Sequence, residues 1–285
     1  LLPWFLFGHA LALREGASTL LHGVGAMVLA SVLLHGAILW TNEWADFEDD
    51  AHNLAPTFLS GGAQTARRGL LSRKSVGWAA VGANSAVVGF GAAVGHVSGR
   101  ASILLLALAA VLLSTLYSVP PVALSKRGGG EWLQALGMGL VLPALGFELT
   151  RTAPVRFDVG ACFPAVLWAA GLHVATALPD GSADAAVGKR TVVVRLGEPA
   201  AKACCSALLV AGAAFAARTV WPEALWTCVA AAGLVGTLLV VTVRWAKPMV
   251  ERRLHPACGS SVAFAMAHGV VGGASIFCYA ALVAL

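Results

Sequence analysis

Charge is scarce in this chain. Asp, Glu, Lys and Arg together make up 12% of its residues, about half the share usual in a soluble domain. With 58% hydrophobic residues, there is too little polar material to coat a water-soluble core of this size. Cysteine is limited to Cys162, Cys204, Cys205, Cys228, Cys258 and Cys278. They form no CxxC pair and no metal-type Cys/His spacing, which argues against a disulfide scaffold or a thiolate metal site. They read instead as small buried hydrophobes. Ten-residue segments of alternating polarity are absent, so a membrane β-barrel is disfavoured. No basic segment precedes the first apolar stretch, so no cleavable signal peptide is expected.

What the chain has is long apolar runs rich in Ala, Leu, Val and Gly, of roughly 17–25 residues, enough for a helix to cross about 30 Å of hydrocarbon. The reading is an all-α polytopic membrane protein. Nine spans are placed at about 2–14, 18–43, 75–97, 101–117, 131–149, 158–178, 200–217, 223–244 and 258–284, the first of them short. Gly and Pro punctuate the connections, among them Gly61-Gly62, Pro120-Pro121 and Gly128-Gly129-Gly130. Gly91-x-x-x-Gly95 has the spacing that lets helices approach closely. Residues 1–285 read as one transmembrane domain, with acidic loop regions at about 42–74 and 179–199.

The net charge of +5 would raise nucleic acid as a partner in a soluble protein. Here the cations sit in loops and report topology. Fourteen of the 19 basic residues fall in the loops after the even-numbered spans and five on the other side. The excess of Lys and Arg puts the first set in the cytosol. No nucleic-acid partner is expected; the bilayer is.

Two acidic motifs lie on that basic side. Asn42, Asp46 and Asp50 are spaced i, i+4, i+8 at the end of the second span, so a continuing helix lines them along one face. Glu48 and Asp49 point elsewhere and read as solvent-facing. Asp180 and Asp184 repeat the i, i+4 pair after the sixth span, with Lys189-Arg190 next. Carboxylates at membrane depth cost roughly 2.5–3.5 kcal/mol each, so a compensating partner is expected. An all-oxygen donor set suits a hard cation. Mg²⁺ in particular uses one or two carboxylates with waters and substrate phosphates.

The pattern extends further. His35 precedes Asn42 by seven residues and His173 precedes Asp180 by seven. Both are candidates to line a cavity below the acids. Arg67-Arg68, Lys126-Arg127 and Lys189-Arg190 lie on the acidic side. A metal-bound diphosphate keeps negative charge, which Arg would meet bidentately and Lys as a point charge. Tyr117-Ser-Val-Pro-Pro121 precedes Lys126-Arg127 in the same loop.

These residues resemble those of the UbiA superfamily of intramembrane prenyltransferases, in the branch that prenylates dihydroxynaphthoate or 4-hydroxybenzoate. Asn42, Asp46 and Asp50 match its first motif, and Asp180 and Asp184 its second. Gly188-Lys-Arg-Thr-Val-Val-Val-Arg-Leu-Gly197 is similar to its usual continuation. Glu43 stands where many members carry Asp, and Gly181-Ser182 where bulkier residues are common. The resemblance implies nine helices around a central cavity with cytosolic cap loops, in a bacterial or archaeal cell membrane. It implies Mg²⁺ held by Asp46, Asp50, Asp180 and Asp184. Asn42, Arg67, Arg68, Tyr117, Lys126, Arg127, Lys189 and Arg190 would hold an isoprenyl diphosphate, whose prenyl group passes to a small aromatic or hydroxyl acceptor.

Two other readings stay open. A terpene cyclase on the same scaffold would use the same carboxylates without an acceptor. A cation-coupled transporter would also carry intramembrane acids, although these lie at span ends rather than near the midplane.

Overall fold

The structure is a computed structural model that describes residues 1–19, 21–52, 69–221, 225–251 and 256–284. Every regular element among them is helical. Helices cover each of the nine expected segments: α1 (Leu2–Arg14), α2 (Val24–Ala45), with α3 (Phe47–His52) directly after it, α4 (Arg73–Ser98) and α5 (Ala101–Ser118). Short α6 (Leu124–Arg127) leads into α7 (Gly130–Leu136), a π-helical turn (Gly137–Val141) and α8 (Leu142–Thr150). Then come α9 (Phe163–Ala177), α10 (Gly181–Ala186), α11 (Val192–Leu196), α12 (Glu198–Val220), α13 (Leu225–Glu251) and α14 (Pro256–Ala284).

Seven stretches among the described residues are long and apolar enough to cross a membrane. Of the remaining two expected spans, α1 has 13 residues. At 1.5 Å per residue that is about 20 Å, short of the hydrocarbon thickness. Its apolarity serves the protein core instead: Phe5, Phe7, Leu11 and Ala12 are essentially inaccessible. In α13 the apolar part covers Ala230–Arg244. The finding is therefore an all-helical protein with seven candidate spans.

Local chemistry sets the helix ends. Ser72 Oγ accepts from the Ser75 amide at 3.1 Å and caps α4, filling one of the donors a helix start leaves open. Thr191 Oγ1 does the same for α11 through Val194. Pro3, Pro143, Pro164 and Pro199 stand in the first turns of α1, α8, α9 and α12, where a missing amide hydrogen costs nothing. Gly91 shows why the small-residue spacing matters. A Cβ there would stand 2.6 Å from the Ala107 Cβ, so only glycine lets α4 lie this close to α5.

The chain closes on itself because α14 packs against α1. Their contact holds the aromatic centre of the core. Phe7 stacks on Tyr279 at 5.0 Å, and Trp168 meets the same ring edge-on at 5.9 Å. The Tyr279 hydroxyl donates to the Ala161 carbonyl at 3.0 Å, which satisfies the polar tip of a buried ring. From α1 the packing passes through α8 and α5 to α4 and α2, and from α14 through α13 and α12 to α9. At the end opposite the acids, Arg100 donates to the carbonyls of Glu148 and Arg151 and so ties the α4–α5 turn to the end of α8.

Candidate active site

Helix α2 ends at Ala45 with Asp46 as its C-cap, and α3 restarts at Phe47. The expected continuous helix is interrupted there, and Asp49 takes a direction that the unbroken helix did not predict. Asp49, expected to face solvent, meets the Lys126 ammonium at 2.7 Å. Glu48 does remain outside, 72% exposed, where it pairs with Arg73. The Asn42 side-chain oxygen accepts from Ser118 Oγ at 2.9 Å, joining α2 to the end of α5.

The second motif is set by Pro179. It ends α9 in a tight 3₁₀ turn, Leu178–Asp180, before α10 begins at Gly181. Asp180 therefore lies in the turn and Asp184 in the new helix, where Asp184 is buried. The glycine after Asp180 has a local reason: a Cβ on Gly181 would stand 2.9 Å from Val193 Cγ1, so glycine lets α11 fold back onto α10.

Two lysines join the motifs. Lys189 Nζ is 3.3 Å from Asp184 Oδ1 and 3.7 Å from Asp46 Oδ2. Lys126 Nζ is 3.4 Å from Asp46 Oδ1 and donates to the Ala45 carbonyl at 3.3 Å. Burial alone would lower the Lys189 pKa, but the charges of Asp46 and Asp184, with Asp49 behind them, outweigh it and hold it above the usual lysine range. Asp46 Oδ1 is shut from solvent and has no hydrogen-bond partner among the described residues; its contact with Lys126 is a charge pairing without hydrogen-bond geometry.

The loops carrying these lysines are themselves tied. The Arg190 amide donates to the Lys126 carbonyl at 2.8 Å. Glu131, buried in the first turn of α7, accepts from the Val192 amide at 2.7 Å and holds the start of α11. Glu131 did not stand out in the sequence, and Ser118 stood out only as part of Tyr117-Ser-Val-Pro-Pro121. The signal available was a lone carboxylate in the first turn of an apolar run, which elsewhere is a common helix-start residue.

Other expected residues divide. Tyr117, half-buried, has its ring against Gly130 and lies within electrostatic range of Asp46, Lys189, Glu131 and Asp184. Arg127 and Arg190 are exposed beside the lysines. His173 Nε2 lies 3.0 Å from Met138 Sδ in the π-helical turn. His35 is exposed on α2, on the face Asn42 takes two turns later. Arg67, Arg68 and the Asp50 side chain lie outside the described residues.

The described residues hold no cluster of three or more His, Cys, Asp or Glu side chains set to grip a metal. The fit must be judged from the donors. Asp46 Oδ1 is a buried carboxylate oxygen that accepts no hydrogen bond among the described residues, and Asp184 shares Lys189 with Asp46. Nitrogen and sulfur ligands are missing from the pair, so the donor chemistry fits a hard divalent cation. Lys126 and Lys189 supply positive charge to these acids.

The arrangement defines a class: a polytopic helical membrane protein with two acidic motifs gathered at one end under basic loops. Residues 1–256 match the model of the UbiA prenyltransferase family, and the chain belongs to that family. The expected resemblance is thereby met. A UbiA homolog from Archaeoglobus fulgidus, solved bound to GPP and Mg²⁺, superposes with a TM-score of 0.64 at 18% identity, covering 100% of this chain and 96% of that one. The apo UbiA homolog from Aeropyrum pernix K1 gives 0.58 at 19% identity, over 95% of each chain. A digeranylgeranylglyceryl phosphate synthase gives 0.53 at 13% identity, over 97% of this chain and 92% of that one. At these identities the likeness is one of fold. No curated protein matches the chain.

Proposed function

We propose that this protein transfers a prenyl group from an isoprenyl diphosphate to a small aromatic acceptor within the membrane, with Mg²⁺ as cofactor. One observation carries the reading: Lys189 reaches Asp46 of the first motif and Asp184 of the second, so both motifs serve one charged site. Membership of the family and the GPP, DMAPP and Mg²⁺ bound by the Archaeoglobus fulgidus relatives support it.

Asp46 and Asp184, with Asp50 and Asp180 from the same motifs, would hold the metal. When bound, Mg²⁺ supplies Lewis-acid stabilisation of charge on phosphate oxygens. Lys126 and Lys189 turn from the carboxylates toward the diphosphate, with Arg127 and Arg190 at the rim and Arg67 and Arg68 also assigned to it. Asn42 and Tyr117 position the substrate. The allylic C–O bond then breaks, and its electron pair leaves with the diphosphate. Fixed cations in a site that excludes water stabilise that departing charge most strongly. The prenyl cation, held among apolar helices, is captured by the acceptor ring, which then loses a proton. His35 and His173 are assigned to the apolar chamber below the acids.

The test is product identity. Purified protein in vesicles is given a panel of prenyl diphosphates and Mg²⁺, with and without aromatic acceptors. Prenylated acceptor, with no turnover until the acceptor is added, is the expected result. Cyclic hydrocarbon formed without acceptor would replace transfer with cyclisation.

A further inference from the structure

A cavity lies beside the acid site. It is a side-opening trough of about 550 Å³ between α2, α4 and α5, within the range of ligand pockets. Trp44, Trp78, Val81, Val111 and Val119 form its apolar walls. Two of the polar residues that line it spend their donors inside the protein. Asn84 Nδ2 donates to Thr41 Oγ1 and to the Ala80 carbonyl, both at 2.8 Å. Thr115 Oγ1 donates to the Val111 carbonyl at 2.8 Å. Apart from the buried Asn84 Oδ1, which has no hydrogen-bond partner among the described residues, the trough offers hydrocarbon a mostly apolar surface.

Its rim differs. Lys74 is exposed and makes no ion pair among the described residues. Its neighbour Arg73 is already engaged, paired with Glu48 and lying 5.5 Å over the Trp44 ring. Trp78, one turn below Lys74, is 68% exposed. A lysine over an indole belt marks the membrane–water boundary. From Lys74 to Ser85 the lining spans twelve residues of α4, about 16 Å along the helix. That is about half the hydrocarbon thickness, or the depth of one leaflet. A groove one leaflet deep, apolar along its length and cationic at its mouth, matches one kind of molecule.

We propose that this trough binds an anionic phospholipid, one acyl chain along Trp44 and Trp78 and the phosphate on Lys74. The site abuts the acid site without belonging to it. Thr41 and Val119 line the trough, and their sequence neighbours Asn42 and Ser118 share the hydrogen bond that borders the acids. Trp44 lies two residues before Asp46. A bound chain therefore braces the wall that positions the first motif.

The test uses the purified protein in phosphatidylcholine vesicles. Phosphatidylglycerol brominated on its acyl chains is titrated in, and separately phosphatidylcholine brominated the same way. The signal is the tryptophan emission that Trp44→Phe and Trp78→Phe remove. Half-quenching is expected at about a fivefold lower mole fraction of the anionic lipid, the preference one lysine gives near a membrane surface. Lys74→Gln is expected to make the two lipids equal. Equal quenching in the wild type, or a preference that survives Lys74→Gln, would overturn the proposal. So would the absence of quenching by either lipid, which would mean that protein, such as a second copy of this chain, covers the trough.

Discussion

At the scale of single residues, the decisive group is a lysine. Lys189 is 15% exposed and sits between Asp184 and Asp46. Replacing it with Gln leaves two carboxylates facing each other without their shared cation. Removing one partner of a largely buried pair is costly because the other charge stays behind. Lys189→Gln is expected to destabilise the metal-free protein by about 1–3 kcal/mol, read as a lower Tm in chelator. Added Mg²⁺ and pyrophosphate should close most of that gap. A gap that Mg²⁺ leaves unchanged would mean the lysine does not stand in for a cation. Its raised pKa makes this contribution insensitive to ordinary pH. It is fully present below the unfolded lysine value of about 10.4 and is lost only as pH rises through the higher folded value.

Several of these residues were legible before the structure, and others were not. Asp46, Asp184, Lys126 and Lys189 were singled out by spacing and charge, and the structure brings those four together. Asp49 was turned outward in the sequence reading because a straight helix would turn it so. One non-helical residue at Asp46 changes the direction of Asp49, and single-residue breaks leave little trace in hydrophobic periodicity. Glu131 escaped because its partner is a backbone amide 61 residues away, and a backbone amide has no sequence signature.

At the scale of elements, helices were legible wherever the apolar run was long. The short helices α3, α6, α10 and α11 were not, since four to six residues carry too little periodicity to register. The π-helical turn in the fifth segment was also invisible, because it inserts no unusual residue type. The far end offers a cleaner test of element packing. Arg14, at the end of α1, pairs with Asp158 ahead of α9 at 3.1 Å. Burial alone would raise the Asp158 pKa, but the Arg14 guanidinium and the Ala161 and Gly160 amides outweigh it and hold it below the usual carboxylate range. A depressed acid contributes stability above its unfolded pKa of about 3.9 and loses it as pH falls through the folded value. The Tm gap between wild type and Asp158→Asn should therefore be full at pH 6 and close progressively below pH 4. A gap independent of pH would show that the pair does not titrate as a unit.

At the scale of the whole molecule, the fold belongs to the UbiA family, and the distribution of charge orients it. The loops on the acid side carry most of the basic residues, and we propose on the positive-inside rule that this side faces the cytosol. Single cysteines at Arg127 and Arg156, in a background with the native cysteines replaced, test this in intact cells. Membrane-impermeant reagent should label position 156 and spare position 127; the reverse would invert the topology. The central claim is that two motifs, far apart in the chain, form one diphosphate site. The most direct test is calorimetric titration of a non-reactive prenyl thiodiphosphate into wild type, Asp46→Ala and Asp184→Ala, with Mg²⁺ or with chelator. Binding should require Mg²⁺ and weaken at least about tenfold, or roughly 1.4 kcal/mol, in either variant alone. Undiminished, Mg²⁺-dependent binding in one of the two variants would show that its motif lies outside the site.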